Sequence, residues 1–288
     1  MNILDSTKIR FCVPSKGRLN EPATDLLRRA GYPFRLHERR LYASCATADI
    51  VFIFARADDI PVLVDSGVAD MGITGCDLVA EREANVAQLL DLGFGQCRLC
   101  LAGPESMPDG DLQHFAGKTI ATAFPRTTQR FFAGKSIDVR VMEMMGSMEI
   151  MVALQLSDGI VDIVETGDSL RENHLKVIAE IGRYQSILIA NHAVAGDPRV
   201  AQVRRRLEGV LVASRYSLLE YNIPATLLKE AEKVTPGYRS PTVSPLDQEG
   251  WLAVKVMVDK AAVPQVMDRL ERLGASAILE TEIRNCRL

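Results

Sequence analysis

The stretch Gly159-Ile-Val-Asp-Ile-Val-Glu-Thr-Gly-Asp-Ser-Leu170 opens with an apolar run, Ile160, Val161, Ile163 and Val164, broken only by Asp162. Its β-branched residues give the pattern of a strand buried on both faces of a parallel sheet. The run stops at a polar turn. Thr166, Gly167, Asp168 and Ser169 then fall at the carboxyl end of the strand, where open α/β sheets bind ligands, and Leu170 leads into the next segment. Small hydroxyl residues and a glycine let backbone N–H groups converge on a phosphate. Asp162 and Glu165 stand beside the turn. Carboxylates repel a bare phosphate, so they point to a ligand that also carries hydroxyl groups, or to a bridging Mg²⁺. A ribose phosphate meets both demands. The same residues equally spell an ordinary Thr-Gly turn in which Asp168 or Ser169 caps a helix.

Upstream, Gly67-Val-Ala-Asp-Met-Gly-Ile-Thr-Gly75 repeats the spacing: Asp70 and Thr74-Gly75 follow Gly67 at the offsets that Asp162 and Thr166-Gly167 follow Gly159. Two lobes of similar α/β construction across a cleft would explain this, and so would chance between short Gly/Asp strands. The first copy has Ile73 at the offset of Glu165. Nearer the start, Ile9 to Val13 reads as a strand, Pro14-Ser-Lys-Gly-Arg18 as its turn, and Asn20 and Pro22 open a helix that Gly31 ends. Lys16 and Arg18 could hold a polyphosphate there, or be solvated surface charges. Ile50 to Ala55 is a second strand of the buried type, with Arg56 at its ligand edge.

Downstream, Gly103-Pro104 through Gly110 is turn-rich and is expected to carry the chain into the second lobe. Thr119 to Ala123 and Val139 to Met144 read as strands and Thr127 to Phe132 as a helix. Glu149, after Gly146-Ser-Met148, is either a first-turn dipole partner or a hydroxyl-binding carboxylate opposite Asp162. Met142, Met144, Met145, Met148 and Met151 read as core filling. Gln185 to Ala190 and the helix from Pro198 to Ala213 return to the first lobe, with Arg204-Arg-Arg206 on a solvated face. After Asn222-Ile-Pro224 the pattern becomes α–β–β–α–β, which fits a small ferredoxin-like domain.

The 288 residues suggest about two domains at ~150 residues each. A net charge of -3 gives no global reason to expect nucleic-acid or membrane binding, so any anion site must be local. No stretch is apolar enough to span a bilayer, and Met1 to Lys16 lacks a signal-peptide centre, so the cytoplasm is the expected compartment. Six scattered cysteines are expected as thiols. Cys97-Arg-Leu-Cys100 lies in a strand, where residues three apart face opposite ways, which argues against chelation. His37, His114, His174 and His192 share no ligand spacing, and none is assigned to a metal.

Taken in order, Ser15-Lys-Gly-Arg-Leu19, Arg56-Ala-Asp-Asp-Ile-Pro61, Asp70-Met-Gly-Ile-Thr-Gly75, Cys97-Arg-Leu99, Gly146-Ser-Met-Glu149, Asp162 to Leu170 and Leu273-Gly-Ala-Ser-Ala-Ile-Leu279 resemble the long form of ATP phosphoribosyltransferase, over essentially the whole chain. The resemblance implies an α/β fold: a two-lobed catalytic part like the periplasmic binding proteins, plus a ferredoxin-like (ACT-like) regulatory domain. The corresponding boundaries are 1–102 with 185–215 for the first lobe, 103–184 for the second and 216–288 for the regulatory domain. It implies Mg²⁺-dependent transfer of phosphoribosyl from phosphoribosyl pyrophosphate to N1 of ATP, releasing pyrophosphate in the first step of histidine biosynthesis. Histidine would be the feedback inhibitor, and the assembly a homohexamer exchanging with dimers. Carried onto this chain, Glu149, Asp162 and Glu165 with Thr166, Gly167, Asp168, Ser169 and Leu170 would bind the phosphoribosyl group, the Asp168 side chain facing away. Lys16, Gly17, Arg18, Arg56, Asp70 and Thr74 would serve ATP and its polyphosphate. Asn222, Tyr238, Thr242 and Ala277 would line the inhibitor site, with Asn222 where some relatives carry Asp. The rival readings are a non-catalytic two-lobed small-molecule sensor and phosphoribosyl transfer to another base. No spacing in the sequence identifies a base pocket.

Overall fold

The apolar runs form the centres of three sheets in a computed structural model that describes residues 7–35, 41–108 and 110–287. His37 lies outside the described residues. The chain begins β1 (Ile9–Pro14), α1 (Asn20–Arg29), β2 (Tyr42–Ser44), β3 (Ile50–Ala55), α2 (Ile60–Asp65), β4 (Met71–Gly75), α3 (Cys76–Arg82) and β5 (Ala87–Asp91). It then lays down β6 (Cys97–Pro104), β7 (Thr119–Thr122), α4 (Pro125–Ala133), β8 (Arg140–Glu143), α5 (Met148–Ala153), β9 (Gly159–Val164), α6 (Asp168–Glu172) and β10 (Leu175–Tyr184). β11 (Ser186–Ala190) and α7 (Pro198–Arg215) follow. The last stretch is β12 (Tyr216–Pro224), α8 (Leu228–Val234), β13 (Thr242–Pro245), β14 (Trp251–Asp259), α9 (Val263–Arg272) and β15 (Ser276–Glu282).

The first sheet has the order β2-β3-β1-β4-β11-β5 and the second β10-β6-β9-β7-β8. In each, three neighbouring strands run parallel, and the strand that follows a crossing, β6 or β11, runs antiparallel beside them. This is the two-lobed arrangement that the resemblance implies. Ser186 pairs with Gly75, and Arg98 with Val164, so both crossings run along the carboxyl edges of the parallel strands. The ligand edge of each lobe is therefore also its hinge edge. β4 and β11 are buried throughout. Gly72 makes the close fit possible: a Cβ there would come within 2.6 Å of Ile60 on α2.

The strand layout differs from the sequence reading in three respects. Cys97 to Ala102, assigned to the first lobe, form β6 of the second sheet, and the chain crosses at residues 92–96, where Gly93 and Gly95 take positive φ. The turn at Gly103-Pro104 only ends β6. Second, β10 has no clear periodic signal because two register shifts, between Val177 and Ala179 and between Glu180 and Gly182, break its alternation. Third, the equal spacing after Gly67 and Gly159 is not structural equivalence. Asp70 precedes β4 and Thr74-Gly75 end it, whereas Asp162 lies inside β9 and Thr166-Gly167 follow it.

The lobes are joined by a side chain as well as by the crossings. Glu81 of α3 is buried, and its two carboxylate oxygens accept from the backbone N–H groups of Arg126 and Thr127 at 2.9 Å each. Those groups are orphan donors at the start of α4, whose Pro125 has no N–H. Arg130 adds a bond to the carbonyl of Ala80 at 2.9 Å.

Packing divides the chain into Met1–Asp25 with Pro33–Ala201, and Leu26–Tyr32 with Gln202–Leu288. The second unit thus includes much of α7 and a piece of α1, beyond the expected 216–288. Its sheet order, β13-β14-β12-β15, and the sequence β–α–β–β–α–β make it ferredoxin-like, with β12 as a first strand that the sequence pattern lacked. Arg206 stacks over the Tyr32 ring at 5.0 Å instead of lying solvated. Met145 is exposed, not core, while Met148 is buried. In the core of the second unit the Tyr221 hydroxyl lies 2.8 Å from Thr235 Oγ1, and Thr235 donates to the Ala231 carbonyl at 3.0 Å. Thr235 has one proton to give, so Tyr221 is the donor to it. Tyr221→Phe is expected to cost about 1 kcal/mol in chemical denaturation, because one buried acceptor loses its partner.

Candidate active site

Cys100 and Ala102 of β6 lie directly opposite Asp162 and Ile160 of β9. Their small side chains form a floor, and Met148 of α5 and Leu170 of α6 pack beside it in one buried cluster. These two anchors bring Glu149 and the Thr166–Ser169 turn to either side of Asp162. Gly146 and Ser147 both take positive φ, which turns the chain sharply into α5. Gly167, at φ 81°, does the same before α6. The result is a cavity of about 270 Å³ lined by Glu149, Asp162, Glu165, Thr166, Gly167, Asp168, Ser169 and Leu170 above that floor. Every residue expected to bind the phosphoribosyl group is on its wall.

Burial pushes the Asp162 carboxyl above the usual carboxylate range; the Ile163 N–H, donating at 2.7 Å, pulls it back, and the charge of Glu149 pushes it up again. Both carboxylates thus face the same space. The Asp168 side chain is largely exposed. It accepts from the Thr166 hydroxyl at 2.6 Å and pairs with Arg171, and these contacts hold its carboxyl below the usual range. Arg171, absent from the sequence expectation, offsets the negative charge that Asp168 brings to the turn. The Thr166 proton is committed to Asp168, which leaves Ser169 and the turn's backbone N–H groups as donors for an anion.

The expected polyphosphate residues lie outside this cavity. Lys16, Gly17, Arg18 and Arg56 follow β1 and β3 at the carboxyl edge, but none lines this cavity. Arg18 donates to the Gly95 carbonyl at 2.9 Å and to Cys97 Sγ at 3.1 Å, and lies 3.8 Å from Asp77. Arg56 is solvent-exposed beside Asp58. Asp70 sits at the opposite, amino end of its strand in a bidentate ion pair with Arg10 at 2.7 and 3.1 Å. Thr74 is fully buried and donates to the Ala57 carbonyl at 2.7 Å. Asp70 and Thr74 are structural because the strand starts and ends around them. Asp77 is buried with neither oxygen hydrogen-bonded among the described residues, and burial pushes its carboxyl up against the opposing charge of Arg18.

The profile of the family described as ATP phosphoribosyltransferase matches residues 56–209, and that of the HisG C-terminal domain matches 213–285. An ATP phosphoribosyltransferase of Rhodopirellula baltica is 46% identical over 97% of this chain and 94% of that protein. The chain belongs to the ATP phosphoribosyltransferase family. A second relative so named, from Yarrowia lipolytica, is 39% identical over 98% of this chain and 97% of its own length. A chain of the Thermotoga maritima ATP phosphoribosyltransferase (HisG:HisZ) complex superposes with a TM-score of 0.61 at 30% identity, covering 69% of this chain and 98% of that one. The second profile identifies the long form of the ATP phosphoribosyltransferases. The first profile and the names of the relatives make the protein a transferase of the glycosyltransferase type.

In the carboxyl-terminal unit, Asn222 lies on β12 opposite Ala253 and Ser276, next to Ala277, whose φ of 47° marks a bulge in β15. Thr242 begins the edge strand β13, and Tyr238 is exposed in the loop before it. One sheet therefore carries Asn222, Thr242 and Ala277.

Proposed function

We propose that the protein transfers phosphoribosyl from phosphoribosyl pyrophosphate to N1 of ATP, giving phosphoribosyl-ATP and pyrophosphate, and that histidine inhibits it. The observation that supports this best is the cavity in which Glu149 and Asp162 face the same space as the Thr166–Ser169 turn. A sugar phosphate needs that combination of hydroxyl acceptors beside an anion cradle. In the reaction the bond from C1′ to the pyrophosphate oxygen breaks, its electron pair leaves with pyrophosphate, and a bond forms from C1′ to N1. Positive charge develops on the sugar, as in glycoside cleavage. Asp162 and Glu149, accepting from the ribose hydroxyls, hold the ring and set negative charge near that developing cation. Adenine N1 carries no proton, so no general base is assigned.

Among the described residues no cluster of three or more His, Cys, Asp or Glu could hold a metal alone. Mg²⁺ arriving on the substrate phosphates would find the carboxylates Glu149 and Asp162 among those lining the cavity, and it would supply charge neutralisation of the pyrophosphate. Among the described residues no helix is long and apolar enough to cross a membrane, and the same reading places the enzyme in the cytoplasm. We assign the homohexamer, exchanging with dimers, to the same reading.

The test is pyrophosphate release with phosphoribosyl pyrophosphate, Mg²⁺ and ATP, repeated with other nucleotides, with EDTA and with histidine. Release is expected only with ATP, abolished by the chelator and suppressed by histidine. Absence of release with every acceptor from a folded protein overturns the reading in favour of a small-molecule sensor. Release unaffected by histidine removes the inhibitor site at Asn222 alone.

A further inference from the structure

A cavity of about 620 Å³ lies wholly within the carboxyl-terminal unit, and Arg28, Arg29, Lys260, Arg284 and Glu282 form its charged lining. Arg28 and Arg29 stand in the last turn of α1, which ends before Gly31 at φ 82°. Lys260 opens the turn Lys260–Ala262, held by the Asp259 carboxylate, which accepts from the Ala261 N–H at 3.0 Å. Glu282 ends β15, and Arg284 follows it. The segment after β15 is pinned against α7: the Cys286 N–H donates to the Gly209 carbonyl at 3.0 Å. A Cβ on Gly209 would come within 2.6 Å of Asn285 Oδ1 and of the Cys286 carbonyl oxygen, so only glycine lets the segment lie this close.

Among the described residues of this lining, four cations face one carboxylate, in a chain whose net charge is -3. Lys260 donates to that carboxylate at 2.8 Å; this bond, with the charge of Arg29 behind it, holds the Glu282 carboxyl below its usual range. Helix dipoles account for part of the cluster, since the carboxyl end of α1 favours Arg28 and Arg29. Lys260, however, stands just before α9, at the end where a helix repels a cation, and Arg284 follows a strand. Arginine forks suit phosphate, whose oxygens accept two parallel N–H bonds from each. No aromatic ring is among the described residues of the lining, and its apolar wall is only Ala213 and Ile283, so little there would hold a nucleobase. The volume is in the range of small-molecule sites, about 300–1,000 Å³. Ser217 faces Glu282 across the β12–β15 ladder, whereas Asn222 faces Ser276 about 17 Å further along β12, so this cavity is distinct from the expected inhibitor residues.

We propose that this cavity binds a chain of linked phosphates, whether a free polyphosphate or the tail of a nucleotide, through Arg28, Arg29 and Arg284. Lys260 joins them when it exchanges Glu282 for the ligand. Glu282 therefore competes with the anion for the same cation. The site belongs to the carboxyl-terminal unit and takes no part in the chemistry proposed above.

Titration calorimetry of tripolyphosphate onto the full chain, with hydrogen exchange to locate the bound anion, tests this. Exchange is expected to slow at residues 283–286 and 213–216; any slowing at 166–170 reports the catalytic cavity separately. Arg284→Gln and Arg28→Gln should each weaken binding at 283–286 about tenfold or more, the loss of a charge-assisted hydrogen bond. Both side chains are exposed, so melting temperature and activity without added polyphosphate should stay at wild type. Glu282→Gln, which releases Lys260 and removes the carboxylate, should tighten binding. Should an arginine variant melt lower, Glu282→Gln decides, because a gain in affinity cannot come from misfolding. Equal affinity for tripolyphosphate and ATP at these segments assigns the site to the phosphate chain alone, and tighter binding of ATP assigns it to a nucleotide's tail; either upholds it. No slowing at 283–286 with either probe overturns the proposal, as does slowing that survives both arginine variants or binding that Glu282→Gln weakens.

Discussion

Asp162→Asn should lower kcat/KM by about 100- to 1,000-fold, because a charge-assisted hydrogen bond contributes about 1.5–3 kcal/mol and a ribose offers this carboxylate two hydroxyls. The amide keeps the shape and one acceptor, so the loss falls on charge and on the second bond. Stability should move the other way. The folded-state carboxyl is raised, chiefly by burial. An acid whose folded pKa is raised costs stability above its unfolded value, about 3.9, and the full cost is present once the pH exceeds the folded value. Asparagine has no such cost. The variant should therefore melt no lower than wild type at neutral pH, with any advantage vanishing below about pH 4. Activity near wild type would remove Asp162 from the sugar site. A large fall in melting temperature would show that the loss is structural.

Glu81→Ala should lower the melting temperature by roughly 5–10 °C, from a destabilisation of about 3 kcal/mol. The variant leaves one buried and one part-buried N–H group at the start of α4 without acceptors and removes a carboxylate from the positive end of that helix. The same contact crosses between the lobes, since α3 follows a strand of the first sheet and α4 a strand of the second. Faster hydrogen exchange at Arg126 and Thr127 should accompany the loss. Glu81→Gln keeps one oxygen and should fall between. The exposed pair of Arg126 with Glu83, at 2.8 Å, is expected to add well under 1 kcal/mol, so Glu83→Ala is the control. Equal melting of the Glu81 and Glu83 variants would refute the clamp.

Strands whose apolar run is short and bounded by turn residues were readable directly: Ile50 to Ala55 and Gly159 to Val164 occur nearly as expected. The cavity around the Thr166–Ser169 turn was readable for the same reason. Glu149 stands one residue after buried Met148, and the Thr166–Ser169 turn is anchored by Leu170, so local pattern places each group at a strand end. Spacing misled where it was taken for geometry. Asp70 and Thr74 sit at the right offsets, but β4 starts after one and includes the other, and their side chains are spent on Arg10 and Ala57. Strand β10 was invisible because two bulges remove its alternation.

Family, reaction type, the two-lobe plan and the carboxylates around the turn are written locally in the chain, because each depends on a few consecutive residues and their period. The pairing of Arg18 with the first crossing and the capping of α4 by Glu81 are not. Each joins segments far apart in sequence, and each exists only because the antiparallel strands β6 and β11 bring the two crossings to the carboxyl edges of both sheets. No periodicity along one segment encodes that meeting; sheet topology decides it.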